Sequence, residues 1–217
     1  MNKNGFVEDI DYMATGDTSI WGEGDPETLE LIAKTSFPGL WLNLAAGDGR
    51  YNNLLLQKAE KVIASDIHQN ALDKLVKNTP EDLKGKLETV TLNLKENFPL
   101  SDNSLDGVFC TGALHFFSKE DLKVVFGEMD RILKPGGSLF IDFATDVKRI
   151  FPNGDLYIRE GETQYTLEEA KAMLKEFLPN YHPAFFQSSV PPEEVSAGAG
   201  TYTFSCNFLL VSGQKPS

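Results

Sequence analysis

The sequence is poor in the residues that build disulfide frameworks and metal sites. It has two cysteines, Cys110 and Cys206, and three histidines among 217 residues. Both cysteines lie in apolar, strand-like runs, and no histidine or cysteine pair has the i, i+3 or i, i+4 spacing of metal ligands. We therefore expect two reduced core thiols, a cytoplasmic location and no bound metal.

Long apolar runs and an excess of positive charge are also missing. No apolar run approaches the roughly 20 residues that span a bilayer, so we expect no membrane insertion. Lys and Arg number 20 against 32 Asp and Glu, which gives a formal net charge of −12. This charge opposes binding to phosphate backbones, so we expect no nucleic-acid partner. The length and the apolar content of 41% suit one globular domain.

The strongest functional pattern runs from Leu40 to Asp66. An apolar run leads into the glycine-rich turn Ala46-Gly47-Asp48-Gly49-Arg50, and a helix-like segment and a second apolar run follow. Glycine lets the backbone approach a ligand closely, and the start of the next helix can hold a carboxylate or phosphate. An acid that closes the next strand can bind both ribose hydroxyls, and Asp66 lies 19 residues after Gly47. The pattern predicts a nucleoside-binding strand–turn–helix–strand unit.

The stretch from Leu42 to Arg50 resembles the first motif of class I S-adenosylmethionine-dependent methyltransferases. Three later segments resemble the same family in the same order: the approach to its fourth strand, the loop after that strand and the turn before its fifth strand. These segments are Phe98-Pro99-Leu100-Ser101-Asp102-Asn103-Ser104-Leu105-Asp106, Cys110-Thr111-Gly112-Ala113-Leu114-His115-Phe116-Phe117 and Arg131-Ile132-Leu133-Lys134-Pro135-Gly136-Gly137. Four ordered segments are a more specific signal than one glycine motif.

The resemblance implies a Rossmann-like, doubly wound α/β fold. Its sheet would have seven strands, mostly parallel, with an antiparallel C-terminal strand. The apolar runs agree, since predicted strands at 40–45, 61–66, 86–92, 105–110 and 138–143 alternate with helical segments. Two further strands are predicted at 183–190 and 202–211. Pro191-Pro192 and Gly198-Ala199-Gly200 would form a long connection between them.

The sequence divides into an N-terminal arm and one domain. We expect the arm to comprise residues 1–24, and residues 25–217 to form a methyltransferase-like domain in which 146–200 lie on the substrate side. The arm has no core-like element, yet it contains Tyr12 and Trp21 among glycine and aspartate residues. Two interpretations stay open: a lid over the pocket, or an arm that is disordered or merely packed.

The resemblance also implies where a cofactor binds. Ligands of such sheets lie at the carboxyl ends of the strands. S-adenosylmethionine, with S-adenosylhomocysteine as product, would lie there with its ribose on Asp66. The predicted cofactor residues are Asn43, Ala45, Gly47, Gly49, Asp66, Ile67, Asn93, Leu94 and Thr111. The family usually has an acid where Asn43 stands, a glycine where Ala45 stands and often an acid near Asn93.

Methyl transfer from a sulfonium depends on in-line placement more than on acid–base chemistry, because the thioether leaves readily. The family has no common catalytic residue. His115 is the candidate base, since it follows the fourth strand, and its alternative role is packing. The predicted substrate residues are Tyr12, Trp21, His115, Tyr157 and Arg159. Arg159 hints at an anionic acceptor.

These observations predict a methyltransferase that moves a methyl group by SN2 transfer to a small-molecule acceptor, as a monomer or homodimer. The unusual Asn43 and Ala45 leave open an alternative, a non-catalytic binding or assembly module with the same fold. A nicotinamide-dependent oxidoreductase is disfavoured, because that fold needs a glycine where Asn52 stands.

Overall fold

The central element of the computed structural model, which describes residues 10–159, 162–197 and 200–217, is a seven-stranded sheet. The strands are β1 (Leu40–Leu44), β2 (Lys61–Asp66), β3 (Leu87–Thr91), β4 (Leu105–Cys110), β5 (Leu133–Ile150), β6 (Ala184–Ala197) and β7 (Gly200–Gln214). Their order in the sheet is β3-β2-β1-β4-β5-β7-β6. Strands β1 to β5 run parallel, and β7 is antiparallel to both β5 and β6. The predicted fold class is confirmed.

Helices cover both faces of this sheet. They are α1 (Pro26–Lys34), α2 (Asn52–Lys58), α3 (Gln69–Asn78), α4 (Glu81–Lys84), α5 (Lys119–Ile132) and α6 (Leu167–Phe177), with 3₁₀ turns at Tyr12–Ala14 and Leu114–Phe116. Apolar side chains of α1, α2 and α4 pack around Trp41 and Phe140, and those of α5 and α6 pack around Leu42 and Ile141. Burial on both faces explains why the central strands are almost continuously apolar.

The register of the parallel strands sets a row of residues at the carboxyl edge of the sheet. Leu44 pairs with both Ser65 and Cys110, and Cys110 pairs with Ile141. The four residues that follow these partners form what we call the edge row. Its members, in strand order, are Asp66, Ala45, Thr111 and Asp142. Because ligands bind at this edge of parallel sheets, the row marks the place to look for a site.

The last three strands are longer than predicted. Strand β5 includes Lys134-Pro135-Gly136-Gly137, the segment predicted to be a turn, because an irregular register between the pairs made by Leu105 and Gly107 accommodates the extra residues. The predicted long connection between the last two strands is also wrong. Strand β6 continues through Pro191-Pro192 at a register shift, and Ala197 pairs with Gly200. Proline tolerates such a shift, since it needs no ladder hydrogen bond there. Residues 198–199 lie outside the described part of the chain.

Side chains cap some of the helices but not others. The Ser118 hydroxyl caps α5 by accepting from Asp121 N, and Thr166 with Glu169 forms a capping box at the start of α6. Helix α2 begins at Asn52, and Tyr51 precedes it without a side-chain cap. Asp25 precedes α1 without capping it with its side chain, because its carboxylate binds the side chains at positions 50 and 51 instead.

Both cysteines are buried, and neither forms a disulfide. This agrees with the predicted core thiols. Among the described helices, none has the length and apolarity needed to cross a bilayer. The cytoplasmic location stays a prediction.

Candidate functional site

Asp66 ties the glycine turn to the end of β2. Its Oδ2 accepts a hydrogen bond from Gly47 N at 2.8 Å, and its Oδ1 accepts one from His68 N at 3.0 Å. Each carboxylate oxygen keeps a further lone pair, and the residue is partly exposed. The carboxylate can therefore accept hydrogen bonds from neighbouring hydroxyls of a sugar while it holds the turn.

The two glycines of the turn are required for different reasons. Both have positive φ, 55° at Gly47 and 97° at Gly49. A Cβ on Gly47 would lie 3.1 Å from the indole Nε1 of Trp21, and a Cβ on Gly49 would lie 2.9 Å from Cγ of Leu75 in α3. Gly47 thus lets the arm approach the turn, whereas Gly49 lets α3 pack against it.

The two departures from the family pattern have local structural consequences. Ala45 has φ of 55°, the left-handed region that favours the glycine usual at this position. Asn43 is buried and donates from Nδ2 to Oδ1 of Asn52 at 3.2 Å. Nδ2 of Asn52 is itself buried and has no hydrogen-bond partner among the described residues. The amide that replaces the usual acid is therefore held by α2.

The residues predicted to surround an adenine follow the ends of β2 and β3. Thr91 pairs with Asp66, and Leu92 N donates to Asp66 O at 2.9 Å, so the two strand ends lie side by side. Ile67 is half-buried, and Leu94 is buried. The Asn93 side chain is engaged within its own loop, where it donates to Glu96 at 3.0 Å and accepts from Lys95 N at 3.0 Å.

The described part of the arm, residues 10–24, packs on the glycine turn. Tyr12 is only 3% exposed, and Trp21, which is 48% exposed, lies against Gly47. The Tyr12 hydroxyl interacts with Trp21 through a side-chain hydrogen bond. Burial, together with the charges of Asp66 and Asp48, raises the pKa of Tyr12 to about 12. Residues 1–9 of the predicted arm lie outside the described residues.

A buried ion pair holds the arm in place. Asp48 Oδ2 lies 2.8 Å from Lys74 Nζ, and both side chains are almost fully buried. Four groups of the arm complete the pair: Thr15 Oγ1 and Thr18 O accept from Lys74 at 2.7 and 2.8 Å, and Ser19 Oγ and Ile20 N donate to Asp48 at 2.6 and 2.8 Å. Burial alone would raise the pKa of Asp48, yet these hydrogen bonds hold it below its ordinary value. We call this arrangement the arm clasp.

His115 lies in the 3₁₀ turn that follows β4. Its ring centroid is 4.1 Å from that of Phe116 and 6.3 Å from that of Phe143. Burial lowers its pKa to about 4, so the imidazole is neutral near pH 7. Its Nδ1 is buried with no hydrogen-bond partner among the described residues. A neutral imidazole with this pKa is a weak base, suited to orienting a hydroxyl or amine.

Two other predicted substrate residues lie beside a buried ion pair. Arg149 binds both carboxylate oxygens of Glu162, at 2.7 and 2.8 Å, and both side chains are almost fully buried. Tyr157 N donates to Arg149 O at 2.8 Å, and Glu162 N donates to Arg159 O at 3.1 Å. Both arginines and Glu162 act electrostatically on His115. The structure thus places Arg159 and the Arg149–Glu162 pair near His115, and it places Tyr157 beside Arg149.

Asp142 is a site residue that the sequence reasoning missed. It is 2% exposed, belongs to the edge row and accepts a hydrogen bond from Gly112 N at 2.7 Å. Burial raises its pKa to about 7. The available signal was its position as the one charged residue in the apolar run from Ser138 to Phe143. Asp48 and Lys74 were missed as well, although Lys74 follows Ala71 and Leu72 on the apolar side of α3.

Residues 42–141, which contain most of β1, all of β2 to β4 and most of the edge row, match the family model described as a methyltransferase domain. These residues make up a little less than half of the chain and are similar to a methyltransferase domain. The resemblance that the four sequence segments predicted is therefore confirmed.

Curated relatives match over about half of the chain. Phosphoethanolamine N-methyltransferase 1 of wheat, Triticum aestivum, is 31% identical over 125 residues, which are 55% of this chain and 24% of that protein. An uncharacterised methyltransferase of Mycobacterium tuberculosis is 31% identical over 109 residues, 50% of this chain and 41% of that protein. The chain thus spans less than half the length of either relative.

Solved methyltransferase structures share the fold over most of the chain. An S-adenosylmethionine-dependent methyltransferase from Mesorhizobium loti superposes with a TM-score of 0.60 at 16% identity and covers 87% of this chain and 96% of that one. A complex of DhpI with S-adenosylhomocysteine gives a TM-score of 0.60 at 18% identity and covers 88% of this chain and 83% of that one.

Replacing Ala45 by glycine is expected to stabilise the folded protein by about 1 kcal/mol, because the left-handed backbone disfavours a Cβ. Urea unfolding of the wild type and Ala45→Gly measures the difference. Ala46→Gly is the matched control, since Ala46 is not among the described residues with positive φ, and it is expected to lower stability. An Ala45→Gly variant less stable than the wild type would contradict the strain at this position.

His115 is expected to make the folded protein sensitive to acid. Its pKa is about 4 in the folded state, below the ordinary value of 6.5, so the unfolded chain binds more protons between these values. This contribution to stability is present above about pH 6.5 and is lost as the pH falls toward 4. His115→Gln removes it. The difference in free energy of unfolding between wild type and variant should therefore change across this window, and a constant difference would disprove the shift.

Proposed function

We propose that this chain is an enzyme that transfers a methyl group from S-adenosylmethionine to a small-molecule acceptor. The observation that carries the proposal is the Asp66 carboxylate, which is anchored by Gly47 N at the carboxyl edge of the sheet and keeps lone pairs for a ribose. When bound, the cofactor supplies a methyl group on a sulfonium for direct displacement, with S-adenosylhomocysteine as the product. Calorimetric titration with both compounds tests the binding.

The residues present fit this cofactor. Asp66 would hold the ribose hydroxyls, and the turn around Gly47 would receive the methionine part. Half-buried Ile67 and buried Leu94 offer apolar contacts for an adenine beside the strand ends. The positive φ of Ala45 shows that the backbone follows the path that glycine usually takes there. Asn43 is bonded to Asn52 and would contribute indirectly.

The arm would act as a lid on the cofactor. Tyr12 lies close enough to Asp66 to feel its charge, and Trp21 contacts the turn at Gly47. Aromatic faces attract cations, so both side chains suit the neighbourhood of a sulfonium. The arm clasp supports this arrangement, because Asp48 belongs to the glycine turn itself. The arm clasp would thus hold the lid against the glycine turn that receives the cofactor.

The acceptor would enter from the side of His115. The neutral imidazole, with its unpartnered Nδ1, can accept from or donate to an acceptor hydroxyl or amine. Arg159 and Tyr157 would line the same side next to the Arg149–Glu162 pair. Placement of the acceptor would supply most of the catalysis. The wheat relative is named for phosphoethanolamine, so this compound is the first to include in a screen for formation of S-adenosylhomocysteine.

Asp66→Ala is expected to weaken binding of S-adenosylmethionine by about 1–3 kcal/mol, because the ribose hydroxyls lose their acceptor. Calorimetry on the wild type and the variant gives the difference. Asp102→Ala is the control, since Asp102 is an exposed carboxylate just before β4, at the opposite edge of the sheet. Unchanged affinity in Asp66→Ala would place the ribose elsewhere. Failure of the wild type to bind either form of the cofactor would favour the non-catalytic module.

The lid is expected to report cofactor binding through tryptophan emission. Trp21 is half-exposed beside Gly47, whereas Trp41 is 1% exposed in the core. Adding S-adenosylhomocysteine should change the emission of the wild type and of Trp41→Phe. The change should disappear in Trp21→Phe, which keeps only the core tryptophan. A change of equal size in Trp21→Phe would show that the arm stays away from the cofactor.

A further inference from the structure

The edge row has a carboxyl group at each end. Asp66 closes the row on β2, and Asp142 closes it on β5, with Ala45 and Thr111 between them. Three strand spacings separate the two acids, or about 14 Å. In the proposed function Asp66 binds the ribose and the turn around Gly47 receives the methionine part. Asp142 therefore lies beyond the cofactor, on the side from which an acceptor enters.

Among the described residues, no cation forms an ion pair with Asp142. The only described hydrogen bond of its side chain is the one from Gly112 N at 2.7 Å. The charged groups that act on it are Asp25 and Arg50, and Arg50 is already bound to Asp25 at 3.3 Å. The Asp25 carboxylate also accepts from the Tyr51 hydroxyl at 2.9 Å. Arg50, the cation that acts on Asp142, is thus committed to another acid, while the like charge of Asp25 also acts on Asp142.

The other titratable groups that interact with Asp142 in the described part of the chain are two thiols, which carry no positive charge. The thiols of Cys110 and Cys206 both feel Asp142, and burial raises the pKa of each thiol. A buried carboxylate without a cation is costly, and a ligand that brings a positive charge removes this cost.

We propose that Asp142 determines acceptor specificity by binding a cationic amine of the methyl acceptor. This inference rests on the proposed function and names its acceptor class. The amine would donate to Asp142 while Gly112 N continues to donate to Oδ1. The same hydrogen bond fixes the start of the loop that carries His115, so amine binding and placement of the imidazole would be linked through Gly112.

The amide of Gly112 gives a direct test. Because it donates to Asp142, its nitrogen and proton shifts should follow the ionisation of this carboxyl in an NMR titration with pH. The probes are ethanolamine, ethylene glycol and glycolate, which are similar in size and carry positive, zero and negative charge. Each is added to the full chain saturated with S-adenosylhomocysteine.

Ethanolamine is expected to lower the midpoint of the Gly112 titration by about one pH unit or more, which corresponds to about tenfold tighter binding to the carboxylate than to the acid. Ethylene glycol and glycolate should leave the midpoint in place. An unmoved midpoint with ethanolamine, or a response to glycolate instead, would overturn the proposal. This arm of the test requires no variant.

Asp142→Asn keeps an acceptor for Gly112 N but removes the charge. It is expected to bind ethanolamine at least about tenfold more weakly, while its affinity for S-adenosylhomocysteine changes by less than about twofold. Asp102→Asn, an exposed change of the same type, should affect neither ligand. Equal loss of both affinities in Asp142→Asn would assign the carboxylate to the cofactor's own ammonium group and overturn the proposal. If the wild type failed to bind S-adenosylhomocysteine, the proposed function would fail instead. The ethanolamine titration of the free protein would then still test whether the Asp142 carboxylate binds an amine.

Discussion

The hydrogen bond from Gly47 N to Asp66 is the interaction on which the site depends. It joins the ends of β1 and β2 and sets the path of the glycine turn between them. The turn also contains Asp48, whose buried ion pair with Lys74 holds the arm in place. One carboxylate thus sets the path of the turn and, through Asp48, helps to set where the arm packs on it. Glycine at position 47 is what allows Trp21 of the arm to lie this close to the turn.

The sequence predicted the parallel half of the sheet well and the antiparallel half less well. Strands β1, β2 and β4 are short apolar runs that helices bury on both faces, so their bounds are visible in composition alone. The long hairpin of β6 and β7 depends on pairing between distant residues. Its polar outer residues and Pro191-Pro192 look like a loop until the register shift is known.

The residues of the candidate site also differ in how well the sequence predicts them. Glycines and strand-end acids are visible because their chemistry requires a fixed spacing, and Asp66 was found in this way. Lys74 and Asp48 are 26 residues apart and act only as a pair, so neither is conspicuous by itself. Asp142 was not predicted, because it is a single acid within an otherwise apolar strand and has no motif spacing that points to a site. A polar residue within an otherwise apolar segment is therefore a useful indication of a buried functional or structural charge.

In the arm clasp, two residues that are distant in sequence depend on each other for their stability. Removing one charge alone would leave the other buried and unpaired, which destabilises the folded protein far more than removing both charges. Positions 48 and 74 are therefore expected to change together or not at all as this sequence diverges. Any such double change would also loosen the packing of the arm on the glycine turn, while the sheet beneath would stay intact.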